Sequence, residues 1–435
     1  MRSVTMNART RNARSRSLPA RSIAGRPAAL LGAAALVLLA GAPASAQYAP
    51  ERGTWEMRSP EQVGMDPAAV AAAVEFALAN ETSVPRDQEL SQSQSFGREP
   101  MGFGIGPFKV RGGAAGVIVK DGYIVAEWGD TRRVDMTHSV TKTFLSTTVG
   151  LAWADGLIPD LDAPVAELVA PMDLPDGDGE RGLDRDNFGE PDLVTLFESD
   201  HNSQITWDHL LRQSSAWEGT LWGKPDWVDR PSRSPQPWNE ERAEPGTVYE
   251  YNDTRVNLLA LATLAVVRDP LPVYLRERIM DPIGASPTWR WHGYDNSWIP
   301  LDGRMVQSVS GGGHWGGGMF ISARDQARLG LFTLRRGNWG GEQLLPDAWF
   351  EMATTPGTAE GGSTYGFMNY FLNIPRADGR KRYPSAPDEA YAHLGNGTNM
   401  VYVDPVNDLV VVARWIPGGA IDDLLGMVIG AIEDD

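Results

Sequence analysis

Two β-rich runs meet at Asp121-Gly122 in "AAGVIVKDGYIVAEWGD" (residues 114–130), and the chain then passes almost at once into "THSVTKTFLSTTVGLAWADGL" (residues 137–157). Asp-Gly between apolar runs is a strong signal for a two-residue hairpin, because both turn positions take positive φ. In the second stretch Phe144, Val149, Leu151 and Trp153 are spaced for a mostly buried helix ending near Asp155-Gly156. The hairpin leads straight to this helix. This junction raises a chemical question, because Lys142 follows Ser139 by three residues where that helix begins.

Residues i and i+3 share a helix face, so the lysine amine can touch the serine hydroxyl. Serine is a poor nucleophile until a base takes its proton, and a lysine in a low-dielectric pocket can lose its own proton near neutral pH. A serine at a helix N-terminus also meets backbone N–H groups that favour developing negative charge. Taken alone, Ser-x-x-Lys is a short pattern that an ordinary helix with an exposed lysine also satisfies. The rest of the chain supplies the context.

Upstream, Asp66-Pro67 and "AAVAAAVEFALAN" read as a helix capped by Asp66, and the polar, glycine-rich residues 81–112 as loop. Residues 171–204 hold ten acidic residues against Arg181 and Arg185 without calcium-loop spacing, and read as a solvated insertion. "ITWDHLLRQSS" reads as a short helix, the Trp- and Pro-rich residues 217–238 as loop, and "PGTVYEYNDTRVNLLALATLAVV" as a turn entering a long apolar helix. "SGGGHWGGGMFISARDQARLGLF" reads as a glycine-rich turn, a strand and a helix capped by Ser322, without the lysine of a phosphate loop. The end of the chain reads as successive strands with a turn at Asp404-Pro405, then a closing helix.

Residues 1–46 stand apart. Seven arginines precede an apolar run that closes on Ala44-Ser45-Ala46, the pattern of a secretory signal cleaved after Ala46. A periplasmic or secreted protein is expected, with no stable membrane insertion after cleavage. The chain has no cysteine, which excludes disulfides and thiol chemistry. Without the leader arginines the chain carries a net charge of about −24, so nucleic acid is not an expected partner. There is no G-x-S-x-G elbow and no H-E-x-x-H, and His138, His201, His209, His292, His314 and His393 show no metal-ligand spacing. No metal and no cofactor are expected.

"HSVTKTF" after a hairpin, "ITWDHLLRQSS", "EPGTVYEYND", "GGGMFISARDQARLGLF" and "HLGNG" occur in this order over residues 60–430. In this the chain resembles the serine β-lactamase-like hydrolases, a superfamily of class C β-lactamases, D-alanyl-D-alanine carboxypeptidases, family VIII-type esterases and aminohexanoate-oligomer hydrolases. The resemblance implies an α/β (α+β) fold, a central antiparallel sheet flanked by helices, with a sheet lobe of about residues 50–138 and 300–435 and a helical lobe of about 139–299. It implies Ser139 as the acylated nucleophile and Lys142 as its partner. The family's Y-x-N motif follows Pro-Gly-Thr, which identifies Tyr251 as general base, with Asp253 where asparagine is usual and Tyr249 as the other candidate. The positive charge of Lys142 would favour the Tyr251 phenolate.

The third motif, K-T-G, corresponds to His393-Leu394-Gly395. Gly395 would let substrate lie close to the strand, and the amides of Ser139 and Asn396 would form an oxyanion hole. Asp253, His393 and Gly395 are thus the expected substrate-binding residues. Because His393 replaces a lysine suited to a substrate carboxylate, the expected substrate is a small ester, amide or peptide rather than a β-lactam. A β-lactamase or carboxypeptidase is the alternative enzyme, and a non-catalytic protein that holds cell-wall peptides is the alternative from another class.

Overall fold

The computed structural model describes residues 47–174, 193–229 and 236–433. The expected leader and the centre of the acidic segment lie outside them. Helix α1 (Pro67–Ala79) begins where Asp66 accepts a hydrogen bond from the Ala69 amide, a cap of about 1 kcal/mol. Residues 81–112 are not all loop, since α2 (Gln88–Gln94) lies among them. Its sequence QELSQSQ has no apolar stripe. It is held instead by Asp87, which accepts from the Glu89 and Leu90 amides, and by Gln92, which donates to the Gly102 carbonyl.

The hairpin comprises β1 (Ala115–Lys120) and β2 (Tyr123–Trp128), with Asp121 and Gly122 at φ 55° and 89°. Strand β3 (Asp135–Met136) follows, then a 3-10 turn (His138–Val140) that runs into α3 (Thr141–Ala154). The central helices are α4 (Trp207–Leu211), α5 (Asp253–Val267) and α6 (Leu271–Leu275). A second hairpin of β4 (Arg290–Leu301) and β5 (Arg304–Val309) leads to β6 (Gly318–Ile321), α7 (Ala323–Leu334) and α8 (Asp347–Ala353). The chain closes with β7 (Tyr370–Phe371), β8 (Tyr391–Gly395), β9 (Asn399–Asp404), β10 (Leu409–Arg414) and α9 (Ile421–Ile429).

The six-stranded sheet has the order β7-β8-β9-β10-β1-β2 and is antiparallel throughout. Its middle strands are buried on both faces, which is why "LVVVAR" reads as an unbroken apolar run rather than an alternation. Val117, Val119, Val401, Val403, Val410 and Val412 face one core with α3, α5 and α7. Ile118, Met400, Tyr402, Leu409 and Val411 face the other with α1 and α9. A smaller sheet, β3-β6-β4-β5, abuts the first turn of α3. Among the described residues no single helix is long and apolar enough to cross a membrane.

Candidate active site

Ser139 sits where the two sheets and α3 converge. The Thr137 amide donates to the Met319 carbonyl and the Met319 amide to Thr141 Oγ1, both at 2.9 Å, tying β6 to both sides of the serine. From the larger sheet, the buried Arg414 donates to the carbonyls of Ile321 (2.8 Å) and Met136 (3.2 Å). His138 holds φ 47°, an unfavourable conformation for a residue with a side chain, and its Nε2 lies 3.0 Å from Gln88 Oε1 on α2. Burial, helped by Arg414 and His314, pushes the His138 imidazole down to about 4, so the ring is neutral at pH 7.

Lys142 Nζ donates to Ser139 Oγ at 3.0 Å and to Asp253 Oδ1 at 2.8 Å. Tyr251 donates its phenol proton to the same Oγ at 2.8 Å, and Oγ lies 3.4 Å from the Gly312 carbonyl. Tyr249 instead packs on the Tyr365 ring at 5.1 Å. Asp253 was expected to meet substrate; it lines the cavity but spends one oxygen on Lys142. The expectation of a favoured phenolate needs correction for the same reason, since the charge of Lys142 is matched by Asp253. Burial, with Tyr370 and Asp253 adding, pushes the Tyr251 phenol well above its ordinary range.

Gly395 and Asn396 line the cavity, whereas His393 does not. The strand places His393 under the sheet, 5% exposed, with its ring against Tyr391 and neither nitrogen in a well-formed hydrogen bond. Burial pushes this imidazole down to about 4. Its expected part in substrate binding is therefore corrected to a core position. Gly395 has a clear reason to be glycine: a Cβ there would run into the Thr137 carbonyl and crowd the Ser139 amide.

The cavity, of about 330 Å³, also brings in residues that sequence reasoning missed: Glu99, Asp229, Gly312, His314, Tyr370 and Arg382. His314 Nε2 lies 2.9 Å from Glu99 Oε2. Burial pushes Asp229 up to about 7, with His314 opposing and Asp253 adding. Burial alone would lower the His314 imidazole, but Asp229, Glu99 and Asp253 outweigh it and raise it. Arg382 stacks on Tyr370 at 4.4 Å, so a cation does line the cavity, from another segment than the third motif. Gly312 is packed against the Lys142–Asp253 pair, where a Cβ would overlap both charged groups.

A family model described as Beta-lactamase matches residues 106–414. The chain belongs to the beta-lactamase family. Members of this family of hydrolases include esterases and amidohydrolases. Among solved structures, EstCE1, described as a hydrolase with promiscuous acyltransferase activity, shares 15% identity over 83% of this chain and 98% of its own, with a TM-score of 0.51. A beta-lactamase from Mycobacterium bovis shares 19% identity over 73% of this chain and 93% of its own, with a TM-score of 0.47. A D-stereospecific amidohydrolase from Streptomyces sp. shares 19% over 80% and 94%, with a TM-score of 0.45. No curated protein matches. At this identity the likeness to EstCE1 speaks to the fold alone.

Proposed function

We propose that this beta-lactamase-family protein is an exported serine hydrolase that cleaves a small ester or amide through an acyl-enzyme. One observation carries the reading: Ser139 Oγ receives hydrogen bonds from both Lys142 and Tyr251 at the edge of a cavity. Ser139 Oγ attacks the carbonyl carbon, and its proton passes to Tyr251 in a minority phenolate state. Collapse of the tetrahedral intermediate expels the leaving group, which takes that proton. Water then cleaves the acyl ester by the same route. The amides of Ser139 and Asn396 are the proposed oxyanion donors.

The direct test is intact-protein mass after reaction with a fluorophosphonate or an activated ester. One adduct, mapped to Ser139 and absent in Ser139→Ala, is expected; an adduct elsewhere, or none, overturns the assignment. Arg382 favours a second reading, hydrolysis of carboxylated amides including β-lactams, because a guanidinium suits a carboxylate. kcat/KM on a penicillin equal to or above that on p-nitrophenyl acetate would select it. Export rests on the composition of residues 1–46, and its test is the N-terminus of the mature protein, expected at Gln47.

A further inference from the structure

A second cavity, of about 280 Å³, lies at the N-terminal end of α7 and shares no lining residue with the cavity at Ser139. Four arginines line it, Arg52, Arg132, Arg324 and Arg328, against one carboxylate, Asp325. In a chain of net charge −17 this local excess of positive charge needs a cause. Three chain segments bring the arginines together. The Arg324 amide donates to the Thr131 carbonyl at 3.2 Å, which sets Arg132 beside it. Arg328 donates to the carbonyls of Pro50 (2.7 Å) and Glu51 (2.8 Å), which sets Arg52 beside that guanidinium.

Within the protein alone these charges are poorly matched. Arg324 and Arg328 are i and i+4 on α7, so two like charges share one helix face. Arg324 is also the second residue of α7, where the backbone N–H groups favour an anion over a cation. Arg328 is 5% exposed and its partners are neutral carbonyls, the third being Ile283 at 2.8 Å. Burial pushes its guanidinium down to about 10, with Arg324 and Arg52 adding and Asp325 opposing, and it stays charged at pH 7. Asp325 is committed to other donors: Oδ1 accepts from the Ser286 amide, and Oδ2 from the Ser286 and Ser322 hydroxyls. Arg52 has Asp281 and Arg324 has Glu127, but no described residue pairs with the Arg132 side chain.

Donors are in surplus too. A guanidinium carries five N–H groups. Among the described residues Arg52 uses only Nη2, Arg324 only Nε and Nη2, and Arg132 none. Planar guanidinium forks match the paired oxygens of carboxylate and phosphate groups. We infer that this cavity binds a small oxyanion, through a phosphate or carboxylate group held by Arg132 and by the unused N–H groups of Arg52 and Arg324. The site is independent of the serine-hydrolase reading, and its ligand is not the substrate of Ser139.

The test is isothermal titration calorimetry at pH 7.5 and constant ionic strength, with inorganic phosphate and, separately, succinate. One saturable site per chain is expected for at least one probe within about 10 mM. Tighter binding of phosphate identifies the bound group as a phosphate, and tighter binding of succinate as a carboxylate. Arg132→Glu should weaken binding at least about tenfold. This variant removes no contact within the described fold. Arg382→Gln should bind as wild type does, which separates the site from the cation in the Ser139 cavity. In the wild type the better probe should also raise the Tm where chloride at the same ionic strength does not, a readout that needs no variant. No saturable binding of either probe by about 10 mM overturns the site. So does an affinity unchanged in Arg132→Glu, or one lost in Arg382→Gln instead.

Discussion

Lys142 and Asp253 form a 2.8 Å ion pair whose side chains are each 2% exposed, directly behind the Ser139 hydroxyl. Removing one partner from a buried pair typically costs about 3–5 kcal/mol, because the other charge is left uncompensated. The pair also sets the proton chemistry. With Asp253 present, Lys142 offers Ser139 a donor whose charge is already matched, and Tyr251 feels a nearby carboxylate that holds its proton on. Gly312 exists in this context as packing for the pair.

Asp253→Asn separates the two bases that the geometry allows. If Tyr251 takes the serine proton, removing the negative charge lowers the phenol from its elevated position. Activity, which needs the deprotonated phenol, should then rise at lower pH than in wild type. The alkaline shift of the kcat profile in wild type relative to Asp253→Asn is the expected result. If Lys142 instead accepts the serine proton while passing one of its own to Asp253 Oδ1, Asp253→Asn removes the acceptor and kcat should collapse at every pH.

Lys142→Ala and Tyr251→Phe should each cost roughly 10²-fold or more in kcat, the order expected for general acid–base help. Their effects should not multiply, because both bond to one oxygen and the loss of either leaves the hydroxyl unactivated. Steady-state kinetics of the two single variants and the double variant measures the coupling. Tyr249→Phe should stay near wild type, since the Tyr249 ring packs on Tyr365.

Much of this site is legible in the chain because its parts are local. Asp121-Gly122 marks the hairpin, and Ser139 and Lys142 lie one helical turn apart. Tyr251 follows a Pro-Gly-Thr turn just before the first residue of α5. Glu99, Asp229 and His314 carry no such mark. They belong to three segments far apart in sequence and meet through tertiary packing: residues 96–107 pack on the 311–317 loop, as in the Ile105 amide donating to the Trp315 carbonyl at 2.9 Å, and the Asp253 amide donates to Asp229 Oδ2. The β4–β5 hairpin did have a signal, Asp302-Gly303 at φ 51° and 77°, the same pair that marks the first hairpin. Its strand pattern is blurred by a register shift between Gly293 and Trp298. His393 was misplaced because motif alignment fixes a position along β8 but not whether its side chain reaches the cavity.

Gly312→Ala should inactivate without unfolding. The added methyl would occupy the space of Asp253 Oδ1 and Lys142 Nζ, and the pair must move or separate. Overpacking of this kind costs about 1–3 kcal/mol if the pair shifts together and about 3–5 kcal/mol if it separates, against the roughly 5–15 kcal/mol that holds a domain folded. The expected outcome is loss of fluorophosphonate labelling with near-wild-type circular dichroism. Full labelling would mean that the Lys142–Asp253 geometry can shift without affecting Ser139.

Acid stability offers a separate check on His393. Burial holds its imidazole down to about 4, while in the unfolded chain it titrates near about 6.5. Between those values the unfolded state binds the extra proton, so the stability contributed by the neutral ring is complete above about pH 6.5 and is lost as pH falls toward 4. For one group shifted this far the loss is on the order of 3 kcal/mol. His138 acts in the same direction and Asp229, held up near 7, in the opposite one, so the informative quantity is the difference between wild type and His393→Leu. Leucine suits a site where neither ring nitrogen has a good partner. Urea unfolding at pH 7.5 should find His393→Leu at least as stable as wild type, and at pH 4.5 clearly more so. Equal losses on acidification in the two proteins would mean that His393 takes up its proton inside the folded core, and that the buried position assigned to it is wrong.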